Sequence, residues 1–408
     1  MGELLSEIGR DAWNAAEFIG QHGVGAEWVS GPIIDDIVSY VDSCATMWKS
    51  RMAGIGTTTA DSGLELREAA WLYHDQDQQN YEALNKHKSN IMVTGDQSVP
   101  VYADRAAVGA VQAYEGAAKY SKPAEVKLDI PTANKEELVE LIGSAFEPIG
   151  AVNDTVKRIT KDVGREFDPL GEVLKQVPGN WSEIRRIGES YKVAGQAMEA
   201  CGKNLESGLK RLAGSAAGGT PNWDGKAAIA FEDWANRQIA AMKWEGPTGR
   251  LIAEALGEVT NQLRDAIHKA LQWLWDLLEI PLKVTADSVA EAFKVCFRKI
   301  PVVGWAATVT EMAIKVVNIV NDVIQLIDKI RALVDKVKQF LEIVKDPVKS
   351  VQEGATQRFE ELVQPFAKGV KAGDILEDAA KSAQLNDTIN RPDERFDSGD
   401  GQNPWANA

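Results

Sequence analysis

The sequence predicts an all-α protein of tandem helical hairpins that pack like a four-helix bundle, and three observations support that fold class. A run rich in Gly, Ser and Pro at residues 212–221 ends one helical pattern, and a new pattern begins at Lys226. Residues 54–59 interrupt another helical pattern near the start of the chain. From Val316 to Val344, apolar residues alternate four and three apart, which predicts a long helix.

Composition narrows the function classes. The 408 residues are 44% hydrophobic, which is enough for two or three domains with substantial cores. The net charge of −15 argues against a nucleic-acid partner, because phosphate binding requires clustered Lys and Arg. Cys44, Cys201 and Cys296 lie far apart and have no metal-ligand spacing, so we expect them to be small buried apolar residues.

The N-terminal residues give no sign of a cleaved signal peptide. The first seven residues include two acidic residues and no basic one, and no apolar core follows them. The longest apolar segment, residues 300–310, is too short to span a membrane. By these rules the protein would be cytoplasmic, unless an export route that needs no signal peptide carries it out.

The N-terminal unit, residues 1–92, is predicted to contain one helical hairpin over residues 30–91. Ser30-Gly31-Pro32 is typical of a helix start, and residues 54–59 predict the bend before a second helix over 61–88. In that second helix Tyr73 and Asp77 are four residues apart, so they present a phenol beside a carboxylate on one face. A partner protein could recognise this pair. The alternative interpretation is that the two residues belong to an ordinary solvated helix face.

The middle unit, residues 168–280, is organised around the bend that carries Trp223 and Gly225. It includes a predicted helix from Trp181 to Leu212 and the helix that begins at Lys226. Trp223 can bury its ring between two helix ends, and Gly225 permits a close backbone approach. Alanines at 227, 228 and 230 keep the second helix slim, and we expect Phe231 and Trp234 to pack between helices. An ordinary tight hairpin is the alternative interpretation.

Together, Trp223-x-Gly225, the alanines that follow, Phe231 and Trp234 resemble the WXG superfamily of helical hairpins exported by type VII (Esx) secretion systems, over roughly residues 168–275. Tyr73-x-x-x-Asp77, after Leu-Arg-Glu-Ala-Ala, is similar to the EspC-like and PE-like export domains of those systems. In these families both elements meet at one end of a four-helix bundle. Here each hairpin carries only one of them, so one chain would supply both, as in fused PE-PPE-like substrates.

The resemblance implies a secreted or cell-envelope protein that is exported folded and recognised by the secretion ATPase. Its secretion-signal residues would be Tyr73, Asp77, Trp223 and Gly225. An Esx-like partner chain, a dedicated chaperone and a homo-oligomer all remain open. The longer EspA-like and EspB-like relatives have extended helical C-terminal regions, which keeps membrane contact open without supporting it.

The remaining segments are a helical connector at 93–167, a helical bundle region at 281–346, short helices at 347–385 and a disordered tail at 386–408. The heptad seam in 281–346 predicts a helix over about 303–344, and a second apolar column at Ile319, Leu326, Leu333 and Phe340 widens it, so several neighbours are expected. The seam comprises Val316, Val320, Val323, Ile327, Ile330, Val334, Val337, Leu341 and Val344.

No motif for catalysis is visible. Four scattered histidines form no Cys/His dyad or zinc motif, and His74 with Asp77 has no further ligand. We therefore predict no enzyme activity, no cofactor and no metal. Two alternatives remain: a membrane-active or pore-forming secreted structural protein, and a toxin with an unrecognised C-terminal activity.

Overall fold

The computed structural model describes residues 1–25, 32–88, 120–133, 181–212, 226–278 and 307–367, with isolated positions at 153–154, 157–158, 161, 168, 171, 223 and 375. Most of the described residues are helical and none lies in a strand, which confirms the all-α prediction. Their helices are α1 (Gly2–His22), α2 (Pro32–Lys88), α3 (Trp181–Leu212), α4 (Lys226–Leu278), α5 (Ala307–Lys345), α6 (Pro347–Gln352) and α7 (Thr356–Val363).

The first hairpin is formed by α1 and α2, which run antiparallel. Arg67 of α2 packs over Gly2 at the start of α1, and Lys49 packs over Gly20 near its end. The helices approach closely where Gly9 faces Gly56, because a Cβ on Gly9 would lie 2.5 Å from the Gly56 carbonyl oxygen. Apolar residues of α1 fill the face toward the core, including Leu5, Ile8, Ala12, Ala16 and Ile19.

The predicted bend at residues 54–59 is therefore wrong, because these residues lie inside the continuous helix α2. Glycine lets α1 approach at this point, so the residues that suggested a turn form a helix–helix contact instead. The hydroxyls of Thr58 and Thr59 donate to the carbonyl oxygens of Gly54 and Ile55, one helical turn earlier. The partner of α2 in the hairpin is α1, which the sequence patterns did not predict.

The second hairpin is formed by α3 and α4, and its predicted boundaries are confirmed. Helix α3 spans the predicted Trp181 to Leu212, and α4 begins at the predicted Lys226. The two helices are antiparallel and very close, because a Cβ on Gly195 of α3 would lie 2.4 Å from the Glu245 carbonyl oxygen of α4. Helix α4 continues through Pro247 without ending.

The two hairpins share one core. Trp48 of α2 packs edge-on against Tyr191 of α3, with ring centroids 5.2 Å apart, and the Tyr191 hydroxyl donates to the Val41 carbonyl oxygen. Cys44 and Cys201 are buried free thiols, as expected, and burial raises the pKa of each to about 12. Cys296 lies outside the described residues. The core is thus a four-helix bundle of α1, α2, α3 and α4.

Helix α5 packs against both α2 and α4. Lys338 lies 3.7 Å from the Asp36 carboxylate of α2 and Lys345 donates to the Ser43 hydroxyl, so α5 runs parallel to α2. Of the seam, Ile327 is half-buried, the side chains of Val316 and Val320 lie outside the described ones, and the rest are buried: Val323, Ile330, Val334, Val337, Leu341 and Val344. Helix α7 then folds back, and Phe359 stacks on Phe340 of α5.

Residues 120–133 form a segment without helix or strand, with a bend at Ala124, that lies on the groove between α1 and α3. The backbone of Ala124 pairs with Asn204 of α3, and Lys122 forms ion pairs with carboxylates of α1. The helices predicted elsewhere in 93–167, the segment 279–306 and the tail at 386–408 lie outside the described residues or are described only at isolated positions.

Candidate functional site

One end of the bundle brings together parts of all four core helices. Met1 and Leu4 at the start of α1 pack against Gly208 near the end of α3, and Arg67 of α2 packs over Gly2. At the opposite end, Arg186 near the start of α3 donates to the carbonyl oxygens of His22, the last residue of α1, and of Val24 just after it. Helix α4 begins where α3 ends. We call the end that contains the start of α1 the Trp223 end.

Trp223, which lies between α3 and α4 in the sequence, packs at this end. Its ring is partly buried and lies 5.7 Å from the ring of Phe231, measured between centroids. Phe231 lies in turn 5.4 Å from Trp234, and both of these residues are buried. The three rings form a continuous aromatic cluster that attaches the bend to the core. Gly225 lies outside the described residues.

Tyr73 and Asp77 lie within helix α2, a little more than one turn apart and therefore near the same face. Position 73 follows Arg67 by six residues, or about 9 Å along the helix axis. Because Arg67 lies beside the start of α1, both positions belong to the Trp223 end of the bundle. Their side chains are outside the described ones, so the geometry concerns their place on the helix.

A carboxylate near the end of α3 forms one ion pair to α4 and one within α3. The Glu206 carboxylate of α3 accepts hydrogen bonds from Lys243 of α4, at 2.5 Å, and from Lys210, at 3.0 Å. These hydrogen bonds lower the pKa of Glu206 below its ordinary value. On the neighbouring surface, the Arg211 guanidinium lies 5.9 Å from the ring centroid of Tyr120. The rim therefore holds paired charges of both signs.

A buried ion pair between α2 and α4 is the interior feature that the sequence patterns missed. The Arg51 guanidinium donates twice to the Glu245 carboxylate, at 2.5 and 3.0 Å, and the two side chains are 5% and 0% exposed. The rings of Trp48 and Trp244 flank the guanidinium, at 5.7 and 4.9 Å to their centroids. No local pattern indicates that these two residues form a pair, because they lie 194 positions apart in the sequence.

Within the described ranges no three His, Cys, Asp or Glu side chains are grouped so that they could hold a metal ion. The same residues include no helix that is long and apolar enough to cross a membrane. The side chains of His74 and Asp77, the one pair considered for a metal, lie outside those described. Comparisons with models of protein families, with curated proteins and with solved structures found no match for this chain.

Proposed function

We propose that this protein is a substrate of a type VII secretion system and is exported folded through recognition of the Trp223 end. The observation that carries the proposal is that the helix positions of Tyr73 and Asp77 share one end of the bundle with Trp223. An ATPase that reads both elements needs them close enough for one binding surface, and a single folded chain meets that condition. The likeness to the WXG and PE-like export patterns supplies the identity of the system.

The packing supports export without a separate partner hairpin. A lone amphipathic hairpin exposes an apolar face that another hairpin must cover. In this chain α1 and α2 bury their apolar faces against α3 and α4, through contacts such as Trp48 with Tyr191. The protein can therefore reach the secretion machinery already folded. It then needs the ATPase as its recognition partner, whereas a second chain becomes optional.

The decisive experiment is secretion of the tagged protein from its native host, with Tyr73→Ala, Asp77→Ala and Trp223→Ala compared with the wild type. We expect the three variants to accumulate inside the cells, because each removes part of the recognised surface. Circular dichroism and thermal melting of the purified variants separate lost recognition from lost folding. Trp223 is partly buried, so its truncation should cost less than the roughly 3–5 kcal/mol typical of a fully buried Trp.

Two surface substitutions are matched controls. Asp322→Ala removes an exposed carboxylate from α5, away from the Trp223 end, and Trp13→Ala removes an indole that is 47% exposed on α1. Both control proteins should leave the cells as the wild type does. If the wild type stays inside, or if folded Tyr73→Ala and Asp77→Ala proteins leave at the wild-type level, the proposed export function is wrong.

A further inference from the structure

The non-helical segment at residues 120–133, which we call the strap, lies on the groove between α1 and α3 as a bound peptide would. Its side chains alternate: Ala124, Val126 and Leu128 are half-buried, whereas Glu125, Lys127 and Asp129 are exposed. This period of two is typical of an extended backbone with one side against a surface. Val126 and Leu128 pack against the hydrophobic core.

Asn204 of α3 holds the backbone of the strap at one point. The Ala124 amide donates to Asn204 Oδ1 at 2.8 Å, and Asn204 Nδ2 donates to the Ala124 carbonyl oxygen at 2.9 Å. Asn204 is fully buried, so its donor and its acceptor are both engaged by the main chain of a single strap residue. Such a contact recognises the main chain independently of the side chains, as a peptide-binding site does.

Side chains on either side of Ala124 add charge and shape. Lys122 donates to the Asp11 carboxylate at 2.8 Å and lies 3.5 Å from the Glu7 carboxylate, so one cation spans two acids on successive turns of α1. Tyr120 places its ring beside the Arg211 guanidinium of α3. The groove thus selects a cation, a small residue at the Asn204 position and apolar side chains two and four residues later.

We propose that the groove between α1 and α3 is a docking site for extended peptides, and that the strap of a second copy of this chain occupies it in trans. A second copy carries the same complementary sequence, so the contacts described for Lys122 and Ala124 can form between copies without any new surface. The 31 residues at 89–119 join the strap to α2, and the 47 residues at 134–180 join it to α3. Fully extended, the shorter connection reaches about 100 Å, about three times the length of α1.

Because the strap is covalently joined to its own groove, protein concentration decides when straps are exchanged between copies. A tethered strap competes for its own groove at an effective concentration in the millimolar range, so an isolated copy is occupied in cis. Exchange between copies becomes favourable where the protein is concentrated or where the cis strap is displaced. The inference concerns an interaction between copies and does not depend on the export function.

Complementation between two full-length variants tests this inference. In the groove variant, Asn204→Leu removes both hydrogen bonds to the strap. In the strap variant, Lys122→Glu and Val126→Asp disable the strap but leave the groove intact. When the two are mixed, the intact strap of the groove variant can bind the intact groove of the strap variant. We expect a one-to-one complex by size-exclusion chromatography with light scattering.

The matched control replaces the groove variant with a protein that carries all three substitutions, which offers neither a strap nor a groove. No complex should form in that mixture. Circular dichroism verifies that each variant is folded, and Lys122→Ala replaces the double strap substitution if that protein fails to fold. The absence of a complex in the first mixture, or equal complex formation in both, would overturn the proposal.

A peptide measurement gives an independent readout. A fluorescent synthetic peptide of residues 120–131 should bind the strap variant, as measured by anisotropy. Adding Asn204→Leu to the strap variant should weaken binding by about tenfold or more, since two hydrogen bonds are lost. A peptide of the same composition in scrambled order should not bind. Equal binding of both peptides, or none by either, would contradict a sequence-specific groove.

Discussion

Breaking the buried pair of Arg51 and Glu245 should destabilise the bundle far more than replacing both residues. The pair joins α2 to α4 with two hydrogen bonds, and both side chains are almost wholly removed from solvent. Glu245→Leu leaves the guanidinium buried without its carboxylate, and Arg51→Met leaves the carboxylate buried without its cation. An unpaired charge in such a place typically costs about 3–5 kcal/mol of folding free energy.

The double variant Arg51→Met/Glu245→Leu should lie within about 2 kcal/mol of the wild type. It removes both desolvated charges and fills their space with apolar side chains of similar length, which is often neutral or stabilising. The one specific loss is the guanidinium contact with Trp48 and Trp244, worth about 0.5–2 kcal/mol. The effects of the single substitutions therefore cannot add, because the two residues form one unit.

Urea denaturation followed by circular dichroism measures these free energies, and the four proteins form a double-mutant cycle. The exposed pair of Lys192 and Glu189 is the control, with side chains 38% and 43% exposed. Glu189→Leu should change stability by less than about 1 kcal/mol, because solvent screens that pair. If the double variant is as unstable as the sum of the single variants, the two residues act independently and the pairing described here is wrong.

Two further predictions concern the contact between α3 and α4. Gly195→Ala places a methyl group 2.4 Å from the Glu245 carbonyl oxygen and should lower the free energy of unfolding by about 1–3 kcal/mol. The control Gly257→Ala on α4 meets nothing within 4 Å and should raise that free energy by about 0.5–1 kcal/mol. Equal melting temperatures for the two variants would refute the close approach. The folded-state pKa of Glu206 is lowered from 4.5, first by its hydrogen bond from Lys243, so its contribution is full above pH 4.5 and is lost as the pH falls through the folded value. Glu206→Gln should therefore flatten the fall in the urea midpoint below pH 4.5, and a curve parallel to that of the wild type would contradict this.

The parts of the fold that depend on local signals were predictable. The C-terminal end of α3 and the start of α4 follow from a run of Gly, Ser and Pro between two periodic patterns. The structure has both boundaries where the sequence indicates them. The apolar seam of α5 is also local, since its spacing alone identifies the face to be buried. These features need no knowledge of which helix lies opposite.

Features that depend on distant partners were not predictable. Gly56 is a break signal in isolation, but Gly9 of α1 packs against it, so within α2 it allows a close helix–helix contact instead. The pairing of Arg51 with Glu245 joins residues 194 positions apart. The docking of the strap depends on Asn204, 80 positions beyond Ala124. Neither distance leaves a periodic trace in the sequence.

The arrangement of these distant contacts bears on how the protein can be recognised. Among the residues that the structure describes, two segments cover grooves of the four-helix core: α5 lies against α2 and α4, and the strap lies against α1 and α3. A partner that reads those helix flanks must first displace a segment of the protein. Recognition of the Trp223 end displaces neither α5 nor Ala124 of the strap, because both of these lie along the sides of the bundle. If both proposals hold, export and exchange use different surfaces, so Asn204→Leu should abolish exchange and leave secretion unchanged, whereas Asp77→Ala should do the reverse.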